Sequence, residues 1–179
     1  MSVFTNPASG AREAADAYIA AVLELLGDRD PMEVLRATGP WLGSVVDGTD
    51  PSALRRLEAP GKWSVAHAIQ HLADAEAVWA YRVRMVLAHD RAPLTGYDQD
   101  AFARAFHYEE RDPRDALRVF QVMRDANLWL LERATPADME RVGVHAERGE
   151  ERLPHMIALN AGHDLVHRRQ IERIIAAVS

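Results

Sequence analysis

Residues 153–177, LPHMIALNAGHDLVHRRQIERIIAA, carry apolar side chains at helical spacing and set two histidines among them. At about 100° per residue, Met156, Ile157, Ile171, Ile174 and Val178 share one side, and His163 and His167 fall between them. Asn160 lies on the same face and Asp164 at its edge. Surface helices do not keep polar residues in the middle of an apolar stripe. The two histidines are four apart, so their rings stack one turn apart and can point at a single atom. A polar ring at a core position costs free energy unless its nitrogens find partners. One metal ion would serve both rings, and separate hydrogen bonds to buried acids or carbonyls would also do so. Spacing alone leaves both alternatives open. The stretch predicts a long helix that starts at Pro154, runs almost to the C-terminus and faces a core.

Helical periodicity also governs the rest of the chain, and strand alternation is scarce. Residues 11–26 (AREAADAYIAAVLELL) predict an Ala/Leu-rich helix closed by Gly27. Asp30-Pro31 supplies a cap and a proline for the first position of a second helix over residues 31–46. Gly39-Pro40 is expected to kink or split it. Residues 47–62 read as a loop with a short turn near 51–57. Ser64 caps a helix that reaches about His89, and Pro93 and Gly96 then open a crossover with a short helical piece around 98–106. Asp112-Pro113 starts a helix ending near Ala134, and residues 135–152 read as a polar loop. No internal repeat stands out. Four long helices with connections of uneven length predict an all-α four-helix bundle with an extra N-terminal helix and long crossover loops. One domain over residues 1–179 is expected, with residues 1–29 as an extension whose helix packs on the bundle.

The 179 residues suffice for one well-buried core, and 48% hydrophobic with 27% charged residues is ordinary globular composition. A net charge of -6 offers no basic excess for phosphates, which argues against a nucleic-acid partner. The N-terminus lacks the pattern of a signal peptide and no apolar run has membrane-spanning length, so a cytoplasmic protein with no membrane partner is expected. Cysteine is absent, which removes disulfides, thiolate ligands and a cysteine nucleophile. Any thiol chemistry must use sulfur brought by a small molecule.

Two imidazoles do not complete a metal site. The helix capped by Ser64 offers His67 and His71, and its stripe comprises Val65, Ile69, Leu72, Trp79, Val83 and Val86. His71 projects to the flank of that stripe, and His67 points nearly away from it. His71 is therefore the better inward ligand. His89, His107, His145 and His155 lack a partner at ligand spacing, although the loop carrying His145 could fold over a site. Glu76 lies on the apolar stripe of its helix, while Arg124 and Asn127 share the apolar side of the next long helix with Leu117, Phe120 and Leu131. A buried Glu76–Arg124 pair is expected. Asp164 reads as an orienting or solvent-contacting carboxylate, or as an exposed edge residue. Glu76 and Asp164 are the candidates for a catalytic role, as a base or behind the ligands. Asp74 reads as solvated.

The segments APGKWSVAHAIQHLADAE (59–76) and GHDLVHRRQI (162–171) resemble the hallmark stretches of the DinB/YfiT-like superfamily, and GYDQDAFA (96–103) and VGVHAERGE (142–150) resemble its loops. The resemblance implies a four-helix bundle holding a divalent metal on three histidines, which map here to His71, His163 and His167. At the position of His67 the family often has an acid. Three imidazoles leave open positions for water or substrate, the arrangement of a catalytic site. All-nitrogen ligation suits zinc, nickel or iron among others. The resemblance further implies a metal-dependent enzyme acting on a small molecule. A thiol S-transferase, using a low-molecular-weight thiol as cosubstrate against small electrophiles, is the leading expectation. The alternatives are a hydrolase using metal-bound hydroxide and a non-catalytic stress-related metal-binding scaffold. The family also tends toward homodimers.

Overall fold

Three helices of this protein begin with the same device. The carboxylates of Asp30, Asp50 and Asp112 accept backbone N–H bonds from Met32, Ser52 and Arg114 at 2.7–2.8 Å, and proline follows each aspartate. The cap satisfies a donor that the helix cannot, and proline occupies a position where no N–H is needed. The computed structural model describes residues 12–178, so the first eleven positions of the expected N-terminal extension lie outside it. Its elements are α1 (Arg12–Leu26), α2 (Pro31–Gly48), α3 (Pro51–Arg55), α4 (Val65–Ala88), β1 (Ala92–Leu94), α5 (Gln99–Ala105), α6 (Pro113–Leu131), α7 (Pro136–Met139), β2 (Val142–His145), β3 (Gly149–Arg152) and α8 (Leu153–Val178). The fold is all-α in class, a four-helix bundle of α2, α4, α6 and α8. No described helix is long and apolar enough to cross a membrane.

The core divides into two apolar lobes. One gathers Leu42 and Val46 of α2, Val65, Ile69 and Leu72 of α4, Leu117 and Phe120 of α6, and Ile171 and Ile174 of α8. The other gathers Leu35, Trp79, Val83, Leu131, Met156 and Ile157 from the same four helices, together with Leu94. Between the lobes every long helix contributes polar residues. These are Thr38 on α2, Glu76 on α4, Arg124 and Asn127 on α6, and Asp164 and His167 on α8, all of them buried. The bundle therefore carries a polar layer across its middle.

Helix α1 packs outside the bundle along α8, where Val22 and Leu25 meet Val166. Gly162 makes this approach possible, because a Cβ there would stand 2.6 Å from the Val22 carbonyl oxygen. The contact brings Tyr18 and Ile19 of α1 into the wall of a cavity beside His163.

One expectation fails, and of a second one alternative is excluded. The stretch 135–152 is not only loop, since β2 and β3 form an antiparallel hairpin and β1 adds in parallel to β2, pairing Ala92 with Gly143 and Leu94 with His145. Four-residue strands are too short to show alternation, and β1 finds its partner far along the chain. Helix α2 is also not split, because it continues through Pro40 as one element. Proline costs a helix interior about 3 kcal/mol. Burial of Leu35, Leu42 and Val46 on either side of it outweighs that cost.

Candidate metal centre

Helix α4 presents His71 and helix α8 presents His163 and His167 to one point. The Nε2 atoms of His71 and His163 are 3.2 Å apart, and those of His163 and His167 are 3.1 Å apart. Ring centroids of His71 and His167 stand 4.5 Å apart. His167 is oriented by Gln170, whose Oε1 lies 2.7 Å from its Nδ1. An amide oxygen only accepts, so Nδ1 carries the proton and Nε2 presents its lone pair to the cluster. Trp63 leans on the His71 ring at 5.2 Å between centroids.

Burial holds all three rings neutral. Desolvation keeps the His71 and His163 pKa values well below 6.5, helped at His71 by repulsion from His167 and His163 and at His163 by repulsion from His167, Arg124 and Arg82. Desolvation lowers His167 to about 4, opposed by its Gln170 bond and by the Asp164 charge. Three imidazoles facing one another cannot satisfy themselves, since each neutral ring has one N–H and one lone pair. His71 Nδ1 is buried with no hydrogen-bond partner among the described residues. A cation suits this donor set. Nitrogens about 2.0–2.1 Å from a tetrahedral ion stand roughly 3.3 Å from each other, close to the spacing seen.

The polar layer beneath the rings adds to the fit. Arg124 donates to both oxygens of Asp164 at 2.6 and 3.1 Å, to Glu76 Oε2 at 2.8 Å and to the Leu35 carbonyl at 2.9 Å. Asn127 donates to Glu76 Oε1 at 2.7 Å and accepts from Arg84 at 2.8 Å. All four carboxylate oxygens thus receive N–H donors, as ionised carboxylates do. Burial opposes the Arg124 charge, but Asp164 and Glu76 more than offset it and raise its pKa. The Asp164 charge favours positive charge at His167, whereas Arg124 and Arg82 disfavour it at His163.

The expected Glu76–Arg124 pair is present. Asp164 is not an exposed edge residue: it is 2% exposed and bound to Arg124 instead of to a histidine or solvent. With their oxygens so engaged, neither Glu76 nor Asp164 is placed as a base. Asp74 is likewise not simply solvated, since Tyr108 donates to it at 2.6 Å and Gln70 at 3.2 Å. His67 stays with its cap, its Nδ1 2.7 Å from Ser64 Oγ. His145 is buried in β2, where Arg82 Nη2 lies 3.3 Å from its Nε2, and it is not part of the three-histidine group. Gln170 escaped the sequence reading. Its position three residues after His167 was the available signal.

Two cavities meet the cluster. One, of about 90 Å³, is lined by Tyr18, Trp79, Arg82, Asn160, His163 and His167 among others. The second, of about 420 Å³, is lined by Lys62, Trp63, Arg169, Gln170 and His167 among others. Gln99 and His167 belong to both walls.

Residues 35–171 match the family model of the DinB superfamily. A protein of Geobacillus thermodenitrificans named "Putative metal-dependent hydrolase" is 25% identical over 173 residues, which cover 96% of this chain and 89% of that one. A protein of Bacillus mycoides with the same kind of name is 27% identical over 124 residues, covering 65% of this chain and 69% of the other. Among solved structures, YfiT from Bacillus subtilis superposes with a TM-score of 0.64 at 21% identity, covering 92% of this chain and 89% of that one. It is described as "a probable metal-dependent hydrolase with an unusual four-helix bundle topology". At that identity the likeness concerns the fold.

Arg124→Met leaves two buried carboxylates without their cation, and removing one partner of such a network costs about 3–5 kcal/mol. Urea denaturation of the variant should show a loss of that size, and a loss under about 1 kcal/mol would contradict the hub role of Arg124. The histidines give a second outcome. Their folded pKa values lie below the unfolded value of 6.5, so the unfolded chain binds more protons between about pH 4 and 6.5. The metal-free protein should therefore be fully stabilised above pH 6.5 and lose stability as the pH falls toward 5. The slope is up to about 1.4 kcal/mol per pH unit for each histidine. A urea midpoint that does not change between pH 7.5 and 5 would contradict this.

Proposed function

This chain belongs to the DinB superfamily, and from that premise we propose that it is a metal-dependent enzyme acting on a small molecule, with His71, His163 and His167 as the ligands of a divalent ion. The convergence of three imidazoles carries this reading, with His163 Nε2 3.2 Å from that of His71 and 3.1 Å from that of His167, and a ligand atom of each ring within 4.8 Å of the others. An ion held there supplies positive charge that lowers the pKa of a thiol or water beside it and polarises a carbonyl. The protein's own part is to keep the three imidazoles neutral by burial and to fix the tautomer of His167 through Gln170. Neutral rings present lone pairs at physiological pH without first losing a proton. An all-nitrogen donor set accepts zinc, nickel or iron.

Within this class we favour thiol transfer. A cosubstrate thiol gives its proton to solvent water, its sulfur forms a bond to the carbon of a small electrophile, and the carbon–leaving-group bond breaks with the pair departing on the leaving group. Such a reaction needs room for two organic reactants, and two cavities share His167 in their walls. The chain has no cysteine, so the sulfur must arrive on the cosubstrate. Hydrolysis is the second reading, favoured by the names of the two relatives. Among the described carboxylates of the polar layer and the two cavity walls, Asp100 of the second wall is the one without an ion pair, and it is exposed. Glu76 and Asp164 are engaged by Arg124, and Glu151 in the cavity wall is held by Arg148 at 2.5 and 3.0 Å.

The test is metal content followed by turnover. The protein should bind one zinc or nickel ion per chain by elemental analysis after dialysis. His163→Ala or His167→Ala should abolish that binding, whereas His67→Ala should retain most of it. The loaded protein should conjugate a model electrophile with bacillithiol, mycothiol or glutathione, and chelation should stop the reaction. Metal-dependent ester or amide hydrolysis without thiol transfer would select the second reading. A metal-bound protein with neither activity would refute the enzyme.

A further inference from the structure

Arg82 is a guanidinium in the wall of the smaller cavity with no carboxylate of its own. Its Nη2 donates to the Thr95 carbonyl and approaches His145, and its Nε is buried without a partner. No ion pair reaches it among the described residues. His145 gives little support. A neutral imidazole has one lone pair, which can serve either the Glu147 N–H at 3.2 Å or Arg82, never both.

Arg148 lines the same cavity but is already neutralised, because its Nε and Nη2 donate to both oxygens of Glu151. The wall thus holds two guanidiniums and one carboxylate, an excess of one positive charge. Burial, with repulsion from Arg148, pushes the Arg82 pKa down, so its surroundings disfavour its charge. Buried arginines that serve structure carry counter-charges, as Arg124 does with two carboxylates. Arg82, half-buried, has no such ion pair, and Tyr97, Glu151 and Glu147 favour its charge only from a distance.

A second observation points the same way. Asn160, three residues before His163, lines this cavity with a buried Nδ2 that has no hydrogen-bond partner. An amide nitrogen and a guanidinium both donate, and both are left wanting an acceptor. Much of the remaining wall is aromatic, with Tyr18, Trp79 and Tyr97.

We propose that this cavity takes an organic carboxylate, with Arg82 receiving the carboxylate group, Asn160 as a further donor, and the apolar body of the molecule on Trp79 and Tyr18. The inference rests on the reading of this cavity as the substrate site and deepens it, since it makes Arg82 the residue that selects acids over their neutral analogues. Charge-assisted bonds from a fixed guanidinium are about twice as strong as neutral ones. A preference of about tenfold or more follows from even 1.4 kcal/mol of that difference.

Matched pairs of probes test it: 3-phenylpropionate and 4-phenylbutyrate against their primary amides, titrated by NMR or calorimetry at pH 7.5. The full chain is used in metal-free form, where no ion can receive the carboxylate. At least one acid should bind about tenfold or more tightly than its amide. R82Q should bring that ratio close to one, and R82K should keep part of it. Acids that bind no more tightly than amides, including no measurable binding, would overturn the proposal even if R82Q fails to fold. A preference that survives in folded R82Q would also overturn it. Zinc stoichiometry, measured on a zinc-loaded portion of the same preparation, separates the two readings. Acid preference without zinc binding refutes the metal-dependent enzyme alone, and zinc binding without acid preference refutes the carboxylate site alone.

Discussion

The bonds from Arg124 to Asp164, Glu76 and the Leu35 carbonyl tie helix α6 to the other three helices of the bundle. A guanidinium 3% exposed is tolerable only if its donors are met, and each of these partners sits on a different helix. Two apolar lobes would allow neighbouring helices to slide or rotate with modest change in buried area. A planar fork with fixed donor directions does not. Asp164 adjoins His163 in the chain, and Glu76 follows His71 by little more than one turn. The phase at which Arg124 holds α4 and α8 is therefore also the phase at which the histidine Nε2 atoms converge.

Charge is partitioned around the cluster in a way that suits catalysis. Below the rings a buried polar layer sets Asp164 and Glu76 against Arg124, and the Asp164 charge favours positive charge at His167. Outside, the cavity wall carries the unneutralised Arg82, which favours an anion in the ligand. The rings between stay neutral through burial. Gln170 replaces the carboxylate that often supports a ligating histidine, so His167 is oriented without an added negative charge. Fixed charges of opposite sign on the two sides of a reactive centre give a small anionic molecule a defined orientation.

Much of this was legible in the sequence because it depends on local rules. Asp-Pro pairs mark helix starts wherever they occur, and the 3.6-residue period set His71, His163 and His167 on inward faces. The same period placed Glu76 and Arg124 on facing stripes. What escaped was tertiary. Asp164 sits at the angle that periodicity assigned, but its partner comes from α6, and only that contact makes it buried. Pro40 breaks the local rule that helices avoid proline, because packing on both sides of it outweighs the cost. The strands are too short for alternation to register, so β2 and β3 read as loop. Gln170 carries no chemistry that distinguishes it from a surface glutamine until its bond to His167 is seen.

The central claim is that three imidazoles from two helices hold one divalent ion. X-ray absorption at the metal edge of the zinc- or nickel-loaded protein measures that shell directly. The account predicts nitrogen scatterers at about 2.0–2.1 Å with the outer-shell signature of three imidazole rings. A shell of oxygen donors alone, or one with fewer than three rings, would contradict it.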